Sequence, residues 1–158
     1  MTITYLTQPP KRWTFQQPKL KKWVESWCYG EVLNLFAGQT ALNVNETRVD
    51  VSPQWKPDYC VDAYEFVTTT GRTFDTIILD PPYNIRKARE KYEGRWIGKL
   101  TKIKNVLYGI LRPHGRVISL GYDSVGMSRS RGFEKVALCV VCHGGDHNDT
   151  LCLVEEKV

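Results

Sequence analysis

The hydrophobic positions fall into short, near-continuous runs rather than long alternations. Val32–Phe36, Thr76–Leu79, Arg116–Leu120, Val136–Val141 and Thr150–Val154 are each apolar or nearly so, and each is bounded by a polar or Gly/Pro-containing stop. Arg48–Val51 is a shorter run that ends at Ser52-Pro53. Near-continuous runs describe strands buried on both faces. Two stretches carry a helical period instead. Pro18–Trp27 places Leu20, Trp23, Val24 and Trp27 on one face, with Pro18 in the first turn and Gly30 as a stop. Gly98–Leu111 is the second. The span from Gly38 to Asp50 is too short for an ordinary helix between strands, so Gln39–Thr47 is expected to be a loop or a single turn. Gln8-Pro9-Pro10 reads as extended.

Strands alternating with helices predict an α/β fold with a mostly parallel sheet covered on both faces. The last two strands, joined through the Gly-rich loop His143–Asn148, predict a C-terminal antiparallel hairpin. In such sheets ligands bind beyond the carboxyl ends of the strands. The residues that follow each strand are therefore the candidates for chemistry.

The 158 residues suit one domain, with residues 1–30 as an N-terminal arm and helix and no separate target-recognition domain. No run reaches the roughly 18 apolar residues of a membrane span. Met1–Pro10 has no basic-then-apolar leader, and the five cysteines are odd in number, so a soluble, reducing, cytoplasmic setting is expected. The net charge is +5, which permits a polyanionic partner.

One tetrapeptide has a chemical logic of its own. Asp80-Pro81-Pro82-Tyr83 directly follows Ile77-Ile78-Leu79. An aromatic amine is a poor nucleophile because its lone pair is delocalised. Acceptors at both N–H bonds rehybridise it. The Asp80 carboxylate and the Pro81 carbonyl supply two acceptors, and proline adds no competing N–H. The Tyr83 ring can stack on a base removed from its helix. As a bare sequence, the same tetrapeptide also suits a rigid turn. Upstream, Val32–Phe36 ends in Ala37-Gly38, a small turn that lets a cofactor approach the backbone.

Together these motifs resemble the Rossmann-like amino-methyltransferases that use S-adenosylmethionine. The resemblance runs along most of the chain in order. It implies a cofactor site at Phe36, Ala37, Gly38, Asp50, Val51, Asp62, Ala63 and Asp80. Asp50 would hold the ribose hydroxyls, and Asp62–Phe66 would be the third-strand segment beside the adenine. Thr14–Pro18 is similar to the segment that precedes the glycine motif in some members. It also implies catalysis by Asp80, Pro81, Pro82 and Tyr83 on an exocyclic amine. Adenine N6 in DNA is the first expectation, with cytosine N4, an RNA base (guanine N2 or adenine N6), or a catalytically weak nucleic-acid-binding protein as alternatives. Two departures from the pattern stand out. Asn34 replaces an acidic residue, and Gln39-Thr40 replaces the rest of the glycine motif.

Charge then points to a partner. From Arg86 to Lys104 eight basic residues face two acidic ones, a local +6, with Tyr92 and Trp96 interleaved. Arg86, Lys87, Arg89, Lys91, Arg95 and Lys99 are the candidate nucleic-acid contacts, with DNA favoured over RNA. A charge run is also a common solvated helix face. Lys11-Arg12-Trp13 repeats the theme near the N-terminus. A homodimer is compatible with these features. Cys139-Val140-Val141-Cys142-His143 has haem-attachment spacing but lies in an apolar run where cysteine packs as a small hydrophobe, and no metal is expected at His143–Asp149.

Overall fold

In the computed structural model, residues 1–81 and 95–158 are described. Eight strands form one sheet: β1 (Thr2–Thr7), β2 (Val32–Leu35), β3 (Glu46–Asp50), β4 (Tyr59–Cys60), β5 (Phe74–Leu79), β6 (Leu111–Gly121), β7 (Phe133–Cys142) and β8 (Thr150–Lys157). Among the described residues, three α-helices accompany them: α1 (Pro18–Trp27), α2 (Ala63–Thr69) and α3 (Arg95–Ile110). The spatial order is β1-β7-β8-β6-β5-β2-β3-β4. All neighbours are parallel except β8, which runs antiparallel to both β6 and β7.

The apolar runs are buried on both faces because helices cover both. Leu33, Leu35, Ile77, Leu79 and Val117 face α2 and α3, where they meet Phe66, Val67, Ile103 and Leu107. The alternate residues Val32, Ile78, Ile118 and Leu120 face α1 and meet Leu20 and Val24. Period-two alternation thus serves two cores at once. No described helix is long and apolar enough to cross a membrane.

One element differs from expectation and two go beyond it. Thr2–Thr7, within the expected N-terminal arm, is a strand: β1 adds to the sheet edge in register with β7, Thr2 beside Ala137 and Thr7 beside Cys142. Asp62–Phe66 is not strand. The third strand is only Tyr59–Cys60, and Asp62 caps α2, its side chain accepting from Glu65 N at 3.2 Å. The β6–β7 connection crosses the α3 face without a long helix. It is pinned instead by the fully buried Glu155, which accepts from Met127 N (2.6 Å) and Ser128 N (3.1 Å), while Lys104 donates to the Gly126 carbonyl. The loop expected over Gln39–Thr47 is observed over Gln39–Asn45, and Glu46 and Thr47 instead begin β3.

The chain turns outward in opposite directions from β2 and β5. After β2 it builds β3 and β4 on one side. After β5 it builds β6 and the hairpin on the other. That change of direction opens a crevice at the carboxyl ends of the central strands.

Candidate functional site

The crevice is a cavity of about 920 Å³. Its first wall is the turn after β2. Phe36 and Gly38 both adopt left-handed backbone, φ +59° and +61°. Phe36 is the unusual one, since a residue with a Cβ adopts this region only at an energetic cost. The turn is held from the next strand. Ala37 N donates to the Val49 carbonyl (3.0 Å) and Gly38 N to Asp50 Oδ2 (2.9 Å). The other Asp50 oxygen accepts from Ser52 N (2.8 Å). Each carboxylate oxygen has two lone pairs, so Asp50 retains acceptor capacity toward the cavity it lines.

Gly38 is required by space as well as by φ. A Cβ there would lie 3.1 Å from Trp13 Cζ3. The Trp13 ring rests against this turn and meets Trp55 edge-on, centroids 5.1 Å apart. Both indoles line the cavity, and Val51 beside them is well exposed.

The missing parts of the glycine motif are replaced by a polar network. Asn34 is fully buried, and its amide donates to Glu46 Oε2 (3.1 Å), so the acid absent from β2 comes from the adjacent strand. Glu46 Oε1 accepts from Leu42 N (3.0 Å) and from Arg48 Nη1 (3.1 Å). Arg48 also donates to the carbonyls of Thr40 and Gly38. The loop that follows Gly38 is thereby fixed without further glycines.

Asp62 and Ala63 line the same cavity at the start of α2. Asp62 is already engaged, as the helix cap and as the ion-pair partner of Lys99. Lys99 is thereby tied to the α2 N-terminus.

Asp80 and Pro81 emerge at the carboxyl end of β5 and line the cavity, with Leu120, Gly121 and Tyr122 beside them from the end of β6. Every expected cofactor residue, together with Asp80 and Pro81, is thus gathered in one crevice. Pro82, Tyr83, Arg86, Lys87, Arg89 and Lys91 lie outside the described residues, as does the side chain of Arg95.

Sequence reasoning missed the far wall. Pro10–Thr14 and the β7–β8 loop both line the cavity. His143 joins them: Nδ1 lies 2.9 Å from the Gln8 carbonyl and Nε2 lies 2.7 Å from Thr150 Oγ1. A carbonyl can only accept, so Nδ1 carries the hydrogen toward Gln8. The Thr-Ile-Thr-Tyr alternation was a usable signal for β1. Trp13 stands out in sequence only through the Lys11-Arg12-Trp13 cluster, and nothing local marks Trp55.

No protein-family model and no curated protein matches the chain. Solved structures do resemble it. The N-methyltransferase NodS from Bradyrhizobium japonicum superposes with a TM-score of 0.62 at 14% identity, covering 85% of this chain and 89% of that one. NodS is also known in complex with S-adenosyl-L-homocysteine. Precorrin-6y C5,15-methyltransferase from Geobacter metallireducens gives 0.62 at 11% identity, over 97% and 94% of the two chains. TrmN from Thermus thermophilus gives 0.57 at 17% identity, over 90% of this chain but only 49% of that one. The chain therefore has the Rossmann-like methyltransferase fold, with a mostly parallel sheet closed by the antiparallel β8.

Proposed function

We propose that the protein is an S-adenosylmethionine-dependent methyltransferase acting on an exocyclic amino group of a nucleic-acid base, adenine N6 in DNA first. The observation that carries this reading is the meeting of Asp80-Pro81 with the Gly38 turn and Asp50 in one cavity. The residues suit the cofactor. The Gly38 turn offers a close backbone approach, and Asp50 offers acceptor capacity for ribose hydroxyls. Gln17, 95% buried at the cavity wall, has an amide oxygen with no partner among the described residues, an acceptor suited to an ammonium group. When bound, the cofactor supplies an electrophilic methyl group.

The protein's own part is positioning and electrostatics. The Asp80 carboxylate and the Pro81 carbonyl accept the two N–H bonds of the amine, which localises its lone pair and aims it. Asp80 stabilises the positive charge that develops on nitrogen as the bond forms. By its place in the motif, Tyr83 stacks on the base. The network of Asn34, Glu46 and Arg48 argues against a fold that has merely lost its cofactor turn. The test is labelled methyl transfer from S-adenosylmethionine onto DNA and RNA, followed by nucleoside analysis. Label in N6-methyladenine of DNA is expected. Label in no nucleoside of either polymer would overturn the reading.

A further inference from the structure

The N-terminal segment crosses the site. β1 ends at Thr7, at the sheet edge beside Cys142 of β7. Six residues later Trp13 packs on Gly38, just past the end of β2. Between β1 and β2 in the sheet lie β7, β8, β6 and β5, so the segment passes the carboxyl end of the strand that carries Asp80. The segment therefore runs as a strap along the carboxyl ends of the intervening parallel strands, and it bends at Arg12 and Trp13 where it meets the Gly38 turn. Pro9-Pro10 suits this role, because proline fixes φ in the extended range.

Both ends are tethered. At the first, Gln8 N donates to the Cys142 carbonyl (3.0 Å) and the Gln8 carbonyl meets His143. At the other, Trp13 sits between Gly38 and Trp55, and its N–H reaches Gln16 Oε1 (3.3 Å). Between the tethers, Lys11 and Arg12 are exposed and line the cavity. Neither forms an ion pair among the described residues, while Arg12 lies 5.8 Å over the Trp13 ring. The β7–β8 loop, on the same wall, adds His143, Asp146 and His147 to the lining. An anion entering the mouth is drawn to the two basic side chains of the strap.

We propose that Lys11 and Arg12 form a phosphate clamp, which grips the backbone flanking the nucleotide whose base reaches Asp80. The proposal rests on the nucleic-acid reading of the cavity given above. Asp80 lies in a cavity rather than along an open groove, so the nucleotide whose base reaches it is one taken out of its helix. A rigid mount matters because phosphate contacts fix register without reading sequence.

The test is fluorescence anisotropy with a labelled, mixed-sequence single-stranded oligonucleotide across a salt series. Each phosphate contact on single strands contributes about 0.7 to the log–log salt slope. The double variant Lys11→Ala/Arg12→Ala is expected to flatten the slope by about 1.4, for two contacts. Lys22→Ala, which removes an exposed charge from α1, is expected to leave it unchanged. The conservative pair Lys11→Arg/Arg12→Lys is expected to keep the wild-type slope, and thermal melting monitors folding throughout. An unaltered slope in the alanine pair, or equal flattening by Lys22→Ala, would overturn the clamp. Wild-type protein that binds S-adenosylmethionine by calorimetry but no oligonucleotide at any salt would instead sink the nucleic-acid reading itself.

Discussion

The two walls of the cavity are built on opposite principles. On the β2–β3–β4 side the polar groups are committed to one another. Asp50 takes two backbone N–H groups, Glu46 takes Asn34, Leu42 and Arg48, and Asp62 takes a helix N–H and Lys99. On the strap side Lys11 and Arg12 face the cavity without ion pairs among the described residues. A wall that must hold one small ligand gains from pre-organisation, whereas a surface that must hold a polyanion gains from unspent charge. Asp80 stands where the two walls meet.

The largest effect is expected at that meeting point. Asp80→Ala is expected to abolish methyl transfer while S-adenosylmethionine affinity stays within a few-fold, measured by labelled transfer and calorimetry on the same preparation. Full activity in this variant would remove Asp80 from the mechanism.

The committed wall should be fragile. Arg48 and Glu46 have side chains only 12% and 6% exposed. Removing one partner of a buried pair strands the other charge, so Glu46→Ala is expected to cost about 3–5 kcal/mol in denaturant unfolding. A loss under about 1 kcal/mol would mean the network is not what holds the turn.

Asp50→Ala is expected to weaken cofactor binding by about 1–3 kcal/mol, the scale for losing charge-assisted hydrogen bonds. An unchanged dissociation constant would place the ribose contact elsewhere.

The smallest effect concerns the thiols behind the walls. Burial pushes Cys28 up to about 12 and Cys139 up to about 11, and raises Cys152 as well. In the native protein near pH 8, iodoacetamide is expected to label the exposed Cys60 and spare Cys139 and Cys152, read by mass spectrometry. A raised folded-state value favours folding below the ordinary thiol value of about 8.5, and that contribution is lost as pH climbs through the folded values. The melting temperature should therefore fall above about pH 9. Rapid labelling of Cys152 at neutral pH would show that the β8 core opens locally.

Much of this was readable beforehand for definite reasons. The β5 run Ile77–Leu79 and the tetrapeptide after it are contiguous, so strand and candidate chemistry appear together in the sequence. α1 carries its own start and stop signals, and the structure bounds it at the same residues, Pro18–Trp27. Asp62–Phe66 was misread as strand because an Asp before an apolar run suits a strand end and a helix cap equally, and its partner Lys99 is 37 positions away. The substitution at Asn34 looked like a loss because Glu46 lies on a different strand.

Local pattern by itself determined which segments are buried strands, where α1 begins and ends, and that a carboxylate and two prolines stand at the end of a central strand. Those properties depend on side-chain period and on neighbours within a few positions. Only the tertiary structure decided that Asn34 borrows its acid from Glu46, that Trp13 meets Trp55 over Gly38, and that residues 8–13 stretch across the mouth. These depend on strand order, and strand order is set by how two separate cores pack against one sheet.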